Sequence, residues 1–181
     1  MSEQETNPKL NYANQLRKEF ADIIAGMELN EIQRKYLQQR WLDQVMWMEG
    51  KAGKAQKPYY VLRMTTIIGG VIIPALVGLG TGDAGFLKGV TVLLSLIVAV
   101  SAAVEGFFKY GDRWRHYRAT VEMLKSEGWN FFSLNGAYNE FEKHGEAFSL
   151  FSAKVENLIQ TDVQTFISTI AKEAEKSKKP S

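Results

Sequence analysis

Two stretches without a charged side chain constrain this chain more than any other feature of its sequence. Met64 to Gly82 contains 19 consecutive uncharged residues, and Gly89 to Val104 contains 16 more. At ~1.5 Å per helical residue, each stretch approaches the roughly 30 Å hydrocarbon thickness of a bilayer. Apolar residues flank the second stretch and lengthen it on both sides. The pattern predicts two transmembrane helices joined by a short turn.

The alternative is a buried helical hairpin in a soluble protein. Helices of soluble proteins usually show one apolar stripe and one solvated face. These two stretches are apolar on every side, and a chain of 181 residues has too little polar protein to surround them. Mean hydropathy is nevertheless −0.20, so the rest of the chain must be polar. We therefore expect an all-α integral membrane protein whose hairpin continues into a cytoplasmic helical bundle and which assembles into a homo-oligomer.

The distribution of basic residues predicts the orientation. Eight lysines and arginines flank the two spans on their outer sides, whereas only Lys88 lies in the turn. Because basic residues stay cytoplasmic, both termini are expected to face the cytoplasm from the inner (plasma) membrane. The absence of cysteine fits a reducing compartment, and a net charge of only +2 argues against a nucleic-acid partner.

These patterns divide the chain into consecutive segments. The predicted boundaries are a disordered N-terminus at 1–10, cytoplasmic amphipathic helices at 11–57, the first span at 58–80, a non-cytoplasmic turn at 81–85, the second span at 86–108, its cytoplasmic extension at 109–132, a C-terminal helix at 137–173 and a basic tail at 174–181. Lys57 and Pro58 are expected to end the helix that precedes the first span.

Small residues recur every four positions in the first span. Thr66, Gly70, Pro74 and Gly78 would form one thin helix face that another backbone can approach closely. Pro74 lacks an amide hydrogen, so it releases one carbonyl from the helix ladder. Two interpretations remain open at this face. It is either an ordinary packing surface with a proline kink, or a gate built on Gly70, Pro74 and Gly78.

The second span begins an apolar repeat of three and four residues that runs far beyond the membrane. A 3.5-residue period of this length is typical of one continuous helix packed along a partner helix. In the predicted extension, the positions expected at the interface between copies are Trp114, Tyr117, Val121 and Leu124.

Another face of the second span is small and weakly polar. We expect this face to line a pore, with carboxylates near its two mouths that would attract cations. The pore-lining candidates are Thr91, Ser95, Ala99, Ala102 and Gly106, and the mouth carboxylates are Asp83 and Glu105. Alternatively, Glu105 is an interfacial residue that contacts water, Arg63 or Lys109.

No catalytic or metal-binding pattern is apparent. The two histidines, His116 and His144, lack the spacing of metal ligands, and no phosphate-binding loop or nucleophile elbow is present. The sequence therefore predicts neither an enzyme nor a cofactor.

Several short motifs carry a family resemblance. They are Arg40-Trp41, Tyr59-Tyr60, Leu62-Arg63, Gly69-Gly70, Ile72-Ile73-Pro74, Asp112-Arg113-Trp114, Tyr117-Arg118, Leu124-Lys125, Glu127, Trp129, Gly136 and Tyr138. Over roughly Gln33 to Ile159 the chain resembles a bacterial two-span family of unknown function, common in cyanobacteria and related to SLATT two-transmembrane effector domains.

The resemblance implies an oligomeric membrane pore that opens on a partner's signal. Unlike fused SLATT proteins, this chain shows no sensor domain, so the trigger is expected to come from its own cytoplasmic helices, from the membrane or from a separate cytoplasmic sensor protein. A non-conducting membrane scaffold that recruits a cytoplasmic partner is the alternative function. The pattern favours the pore, because an anchor needs neither a small, weakly polar face nor a carboxylate at its edge.

Overall fold

The described structure is helical. The computed structural model describes residues 8–79 and 85–178, and these ranges contain no strand. The α-helices are α1 (Pro8–Ala25), α2 (Glu31–Lys35), α3 (Asp43–Leu79), α4 (Gly85–Phe108), α5 (Tyr110–Phe132) and α6 (His144–Lys178). A π-helical segment, Tyr36–Leu42, joins α2 to α3, and a 3₁₀ turn, Gly136–Tyr138, precedes α6.

The chain forms two compact units. The first, which we call the bundle unit, lies within Met1–Gly50 and Arg118–Ser181. The second, the hairpin unit, is Lys51–Tyr117 and includes α4 together with the later part of α3 and the start of α5.

An aromatic core holds the bundle unit together. The Trp41 side chain is fully buried, and its ring meets Phe20 and Phe132 edge to face at centroid distances of 5.2 and 5.3 Å. Its indole N–H donates to the Leu124 carbonyl at 3.0 Å, which satisfies the one polar atom of a buried tryptophan. Other fully buried side chains of this core include Ile24, Leu37, Val45, Met48, Val121, Phe131, Tyr138, Phe151 and Val155.

Local sequence explains how the second helical segment begins. Asn30 is its N-cap: the side chain accepts from the Gln33 amide at 2.9 Å, and the Gln33 side chain accepts from the Asn30 amide at 3.0 Å. This is a reciprocal capping box. The π-helical segment that follows buries Leu37, Trp41 and Leu42 together.

In the hairpin unit, α3 and α4 run antiparallel and touch closely at one glycine. A Cβ added at Gly69 would overlap the Val98 side chain. Near the other end of the helices, Gly111 faces the Tyr59 ring in the same way. Gly69 is thus the point at which the two apolar helices approach each other most tightly among the glycines described in these spans.

α1 begins at Pro8, inside the N-terminus predicted to be disordered at 1–10, and residues 1–7 lie outside the described residues. The structure corrects two predicted boundaries in the rest of the chain. The helix before the first span does not end at Pro58, because α3 continues through both Pro58 and Pro74. Lys54, whose carbonyl loses its helical donor to Pro58, is exposed, so water can satisfy that carbonyl. The C-terminal helix begins at His144 rather than at residue 137 and continues to Lys178, so it includes part of the predicted tail. The intervening residues form turns that bury Tyr138.

A third correction concerns the predicted extension of the second span. The helix is not continuous: α4 ends at Phe108, α5 begins at Tyr110, and Lys109 between them has a φ of 50°. A lysine in this left-handed region ends one helix and starts another in a new direction. The apolar repeat crosses this position without a change of phase, and so it contained no sign of the break.

Candidate functional site: the apolar hairpin and its edge

The hairpin unit carries the candidate site because its apolar surface is uncovered. Two helical segments, Glu31–Gly78 and α4, are long and apolar enough to cross a membrane. Only 6% of the most apolar window of each is buried within the chain, whereas the core helix of a soluble protein is mostly buried. Val71 and Phe107 are 71% and 80% exposed. This surface needs lipid or another protein surface to cover it.

The predicted pore-lining residues divide into two groups. Thr91 and Ser95 are half-buried, and their hydroxyls donate to carbonyls of their own helix, those of Leu87 and Thr91, both at 2.8 Å. The remaining three candidates, Ala99, Ala102 and Gly106, are exposed. The small face therefore begins beside the contact with α3 and turns outward toward the end of α4.

The predicted gate residues lie away from the contact between the two helices. Gly70 and Gly78 are exposed, and a Cβ added at either would meet no atom within 4 Å. Pro74 is exposed as well, and α3 continues past it as a helix. Within one chain the close approach uses Gly69 instead, so the face of Gly70, Pro74 and Gly78 remains available to a second copy.

Glu105 lies at the junction between α4 and α5. Its carboxylate accepts a hydrogen bond from the Gly111 amide at 3.3 Å, near the first turn of α5. Its backbone carbonyl accepts from the Lys109 amide at 2.8 Å. A carboxylate is favourable beside the unsatisfied amides of a helix N-terminus, so Glu105 caps α5. The other mouth carboxylate, Asp83, and most of the predicted turn lie outside the described residues.

Aromatic side chains surround the same junction. The Tyr59 ring stacks on Trp114 with centroids 5.8 Å apart, and Tyr60 lies 5.6 Å from the same indole. Phe108 and Tyr110 stack on each other at 5.4 Å. Tyrosine and tryptophan collect at membrane surfaces because one end of each side chain is apolar and the other is polar.

The structure corrects two of the four predicted interface positions. Val121 and Leu124 are fully buried in the core of their own bundle unit, so they present no surface to a second copy. Trp114 and Tyr117 are half-buried, and Trp114 packs on tyrosines of the same chain. The apolar repeat correctly indicated a buried stripe beyond the second span, but at Val121 and Leu124 the partner is the chain itself.

The bundle unit contains two ionic contacts that the sequence did not reveal. Lys125 is only 7% exposed, and its ammonium nitrogen lies 2.7 Å from a carboxylate oxygen of Glu49. Burial is the largest single effect and lowers the pKa of Lys125, but the hydrogen bond to Glu49 and the charges of Glu49 and Glu122 together raise it above its ordinary value. Arg40 donates hydrogen bonds of 2.8 and 2.7 Å to Glu156, which lowers the pKa of that carboxyl. The partners are 76 and 116 positions apart in sequence, too far for any local pattern to pair them.

No metal site is apparent in the part of the chain that the structure describes. Residues 8–79 and 85–178 contain no cluster of three or more histidine, aspartate or glutamate side chains that could hold an ion. That the chain is neither an enzyme nor bound to a cofactor stays a prediction.

The fold and the exposed hairpin define the class of this protein: it is an all-helical chain with two helices apolar enough to cross a membrane. Residues 43–146, more than half of the chain, match the family described as "Protein of unknown function (DUF4231)". The chain belongs to this family, and the matched range contains α3, α4 and α5. No curated protein and no solved structure matches the chain.

Proposed function

We propose that this protein is an oligomeric membrane pore, with α4 and the apolar part of α3 from Pro58 onward inserted in the inner membrane, both termini in the cytoplasm and cations as the permeating ions. The bare apolar surface of the hairpin unit is the observation that supports the proposal most directly. Two helices enclose no path across a bilayer, so conduction requires several copies. The exposed glycine face of α3 and the exposed part of the small α4 face are the surfaces that copies would share or line.

Glu105 supports the choice of cations. In a symmetric oligomer, the carboxylates at the α4–α5 junction would form a ring of negative charge at the cytoplasmic end of the hairpin. The proposal also includes the relation to SLATT-type effector domains and a separate cytoplasmic sensor protein that supplies the opening signal.

A non-conducting scaffold is the second candidate, and one observation favours it. The exposed residues of the small α4 face, Ala99, Ala102 and Gly106, carry no polar side-chain atom that could contact a passing ion. In this alternative the hairpin unit is an anchor, and the bundle unit recruits a cytoplasmic partner.

The test is ion flux through purified protein reconstituted into a planar bilayer with asymmetric KCl. Glu105→Gln removes the charge but keeps an oxygen that can accept from the Gly111 amide, so the junction should survive. The expected result is discrete current in the wild type and a reversal potential closer to zero in the variant. Glu31→Gln, at an exposed carboxylate of the bundle unit, is the matched control and should change nothing.

Two results would decide against parts of this proposal. An unchanged reversal potential in Glu105→Gln would remove Glu105 from the ion path. Electrical silence of a homogeneous wild-type oligomer, with and without cytoplasmic extract added as a source of the sensor, would favour the scaffold.

A further inference from the structure

The junction between α4 and α5 contains a residue in an unfavourable backbone conformation. Lys109 has a φ of 50°, in the left-handed region where a side chain with a Cβ is disfavoured. Relative to the right-handed region this conformation is roughly 5- to 30-fold less populated for a residue other than glycine. Strained positions of this kind persist only where neighbouring contacts hold them, and they concentrate in segments that switch.

Regular helical hydrogen bonds continue on both sides of this one residue. The Lys109 amide donates to the Glu105 carbonyl at 2.8 Å, and the Arg113 amide donates to the Lys109 carbonyl at 3.1 Å, both with the four-residue spacing of an α-helix. A continuous helix would differ only in the amides of residues 110–112, which would then bond to the carbonyls of residues 106–108. Very little of the backbone must therefore change for the two helices to join.

The sequence across the junction allows the joined form, although Gly106 and Gly111 each lower the helix propensity by about 1 kcal/mol. Residues 86–132 contain no proline, and lysine is a good helix former. Apolar residues at Ala103, Phe107, Tyr110, Trp114 and Tyr117 keep their three- and four-residue spacing through the break. Lysine itself has no preference for the left-handed conformation, so contacts elsewhere must hold Lys109 in it.

Two contacts hold the broken form. The Glu105 carboxylate accepts from the Gly111 amide at 3.3 Å and so caps the start of α5. The Tyr59 ring of α3 lies directly on Gly111: a Cβ there would come within 2.6 and 2.8 Å of two ring carbons. Tyr59 also stacks on Trp114. The first span thus packs against the start of α5, and the close approach of the Tyr59 ring leaves no room for a side chain at Gly111.

We propose that residues 105–111 form a two-state hinge between α4 and α5. In the broken state, which the structure shows, Lys109 is left-handed and the Glu105 carboxylate is occupied by the Gly111 amide. In the straight state, α4 and α5 form one helix, the Gly111 amide bonds within that helix, and the Glu105 carboxylate is released to water at the edge of the hairpin. The role of this released carboxylate in conduction rests on the proposed function; the hinge itself does not.

Pulsed electron paramagnetic resonance measures the hinge directly. The chain has no cysteine, so nitroxides can be attached to Val92→Cys and Arg113→Cys, both exposed positions of the hairpin unit. A straight helix separates residues 21 positions apart by about 32 Å, and a break at Lys109 shortens that distance. Dilution of labelled protein with unlabelled protein removes distances between copies.

Variants shift the two states in opposite directions. Gly111→Ala places a methyl group against Tyr59, so we expect the population near 32 Å to rise at least 5-fold. Lys109→Gly removes the penalty of the left-handed conformation, so that population should fall by a similar factor. Lys109→Ala is the matched control: it removes the charge, keeps the Cβ and should resemble the wild type more than Lys109→Gly does.

The outcomes separate the hinge from the pore. Distance distributions that are identical in the wild type, Gly111→Ala and Lys109→Gly would overturn the hinge, whatever current the protein carries. Opposite shifts in Gly111→Ala and Lys109→Gly would establish it, even in a protein that conducts nothing. If the protein conducts, the variant enriched in the straight state should also show the stronger cation preference.

Discussion

Gly128 in α5 provides a sharp test of how the bundle core is packed. The glycine is buried against Trp41, and an added Cβ would overlap the indole atom Cζ2 and lie 2.9 Å from Cη2. The indole cannot move aside easily, because Phe20 and Phe132 contact its ring and its N–H is bonded to a backbone carbonyl. The substitution Gly128→Ala should therefore destabilise the bundle unit, although alanine is the better helix former.

The size of the effect follows from two opposing contributions. Overfilling a well-packed core costs about 1–3 kcal/mol. Replacing glycine by alanine within a helix gains about 0.5–1 kcal/mol. The net change in the free energy of unfolding should thus be a loss of up to about 2.5 kcal/mol. Since a chain of this size loses roughly 2–4 °C of Tm per kcal/mol, the expected decrease in Tm is at most about 10 °C.

Gly50→Ala is the matched control for this measurement. Gly50 lies in α3, and a Cβ there meets no atom within 4 Å, so only the helix-propensity gain remains and Tm should rise. Thermal unfolding of detergent-solubilised protein, followed by circular dichroism, measures both. In a Trp41→Phe background, whose shorter ring leaves room for the methyl group, Gly128→Ala should no longer destabilise. If Gly128→Ala and Gly50→Ala raise Tm equally, the packing described at Trp41 is incorrect.

Two further predictions follow from the geometry of the hairpin and of the bundle. Gly69→Ala should push α3 away from Val98 and lower the free energy of unfolding of the detergent-solubilised protein by about 1–3 kcal/mol. Gly70→Ala should cause no such loss, because a Cβ there meets no atom within 4 Å. Equal losses in the two variants would contradict the assigned helix contact. If Gly70→Ala instead reduces the molar mass measured by light scattering, its face joins copies. The hydrogen bonds from Arg40 lower the pKa of Glu156 in the folded protein. Ionised Glu156 therefore stabilises the fold at pH values above the pKa that it has in the unfolded chain. This stabilisation disappears as the pH falls through the pKa of Glu156 in the folded protein. The stability difference between wild type and Glu156→Gln should therefore be largest near pH 7 and vanish well below about pH 4, and a difference independent of pH would refute this assignment.

Local chemistry was sufficient to predict several elements. The uncharged stretches indicated the two apolar helices, and these are the helices that the structure leaves uncovered. The start of α2 also follows from local chemistry, because the N-cap Asn30 acts on amides only two or three residues away. Membrane insertion, orientation and oligomerisation stay predictions.

Other features could not be predicted because they depend on partners that lie far away in sequence. Gly69 and Gly70 are neighbouring residues of the same type, and only the rotation of α3 about its axis relative to α4 decides which of them contacts Val98. The break at Lys109 depends on Tyr59, 50 positions earlier, and on the side chain of Glu105, neither of which alters the local helix pattern.

The sequence by itself determined the class: two apolar helices, long polar helices beside them and a buried stripe in α5. The apolar periodicity of a helix indicates that one of its faces is buried, because removing apolar surface from water is favourable whatever surface covers it. It does not state what provides the cover. Only the tertiary structure decided that Val121 and Leu124 pack inside their own chain. Their core also contains Trp41 from the π-helical segment and Phe151 from α6, and only the folded chain brings these segments together with α5.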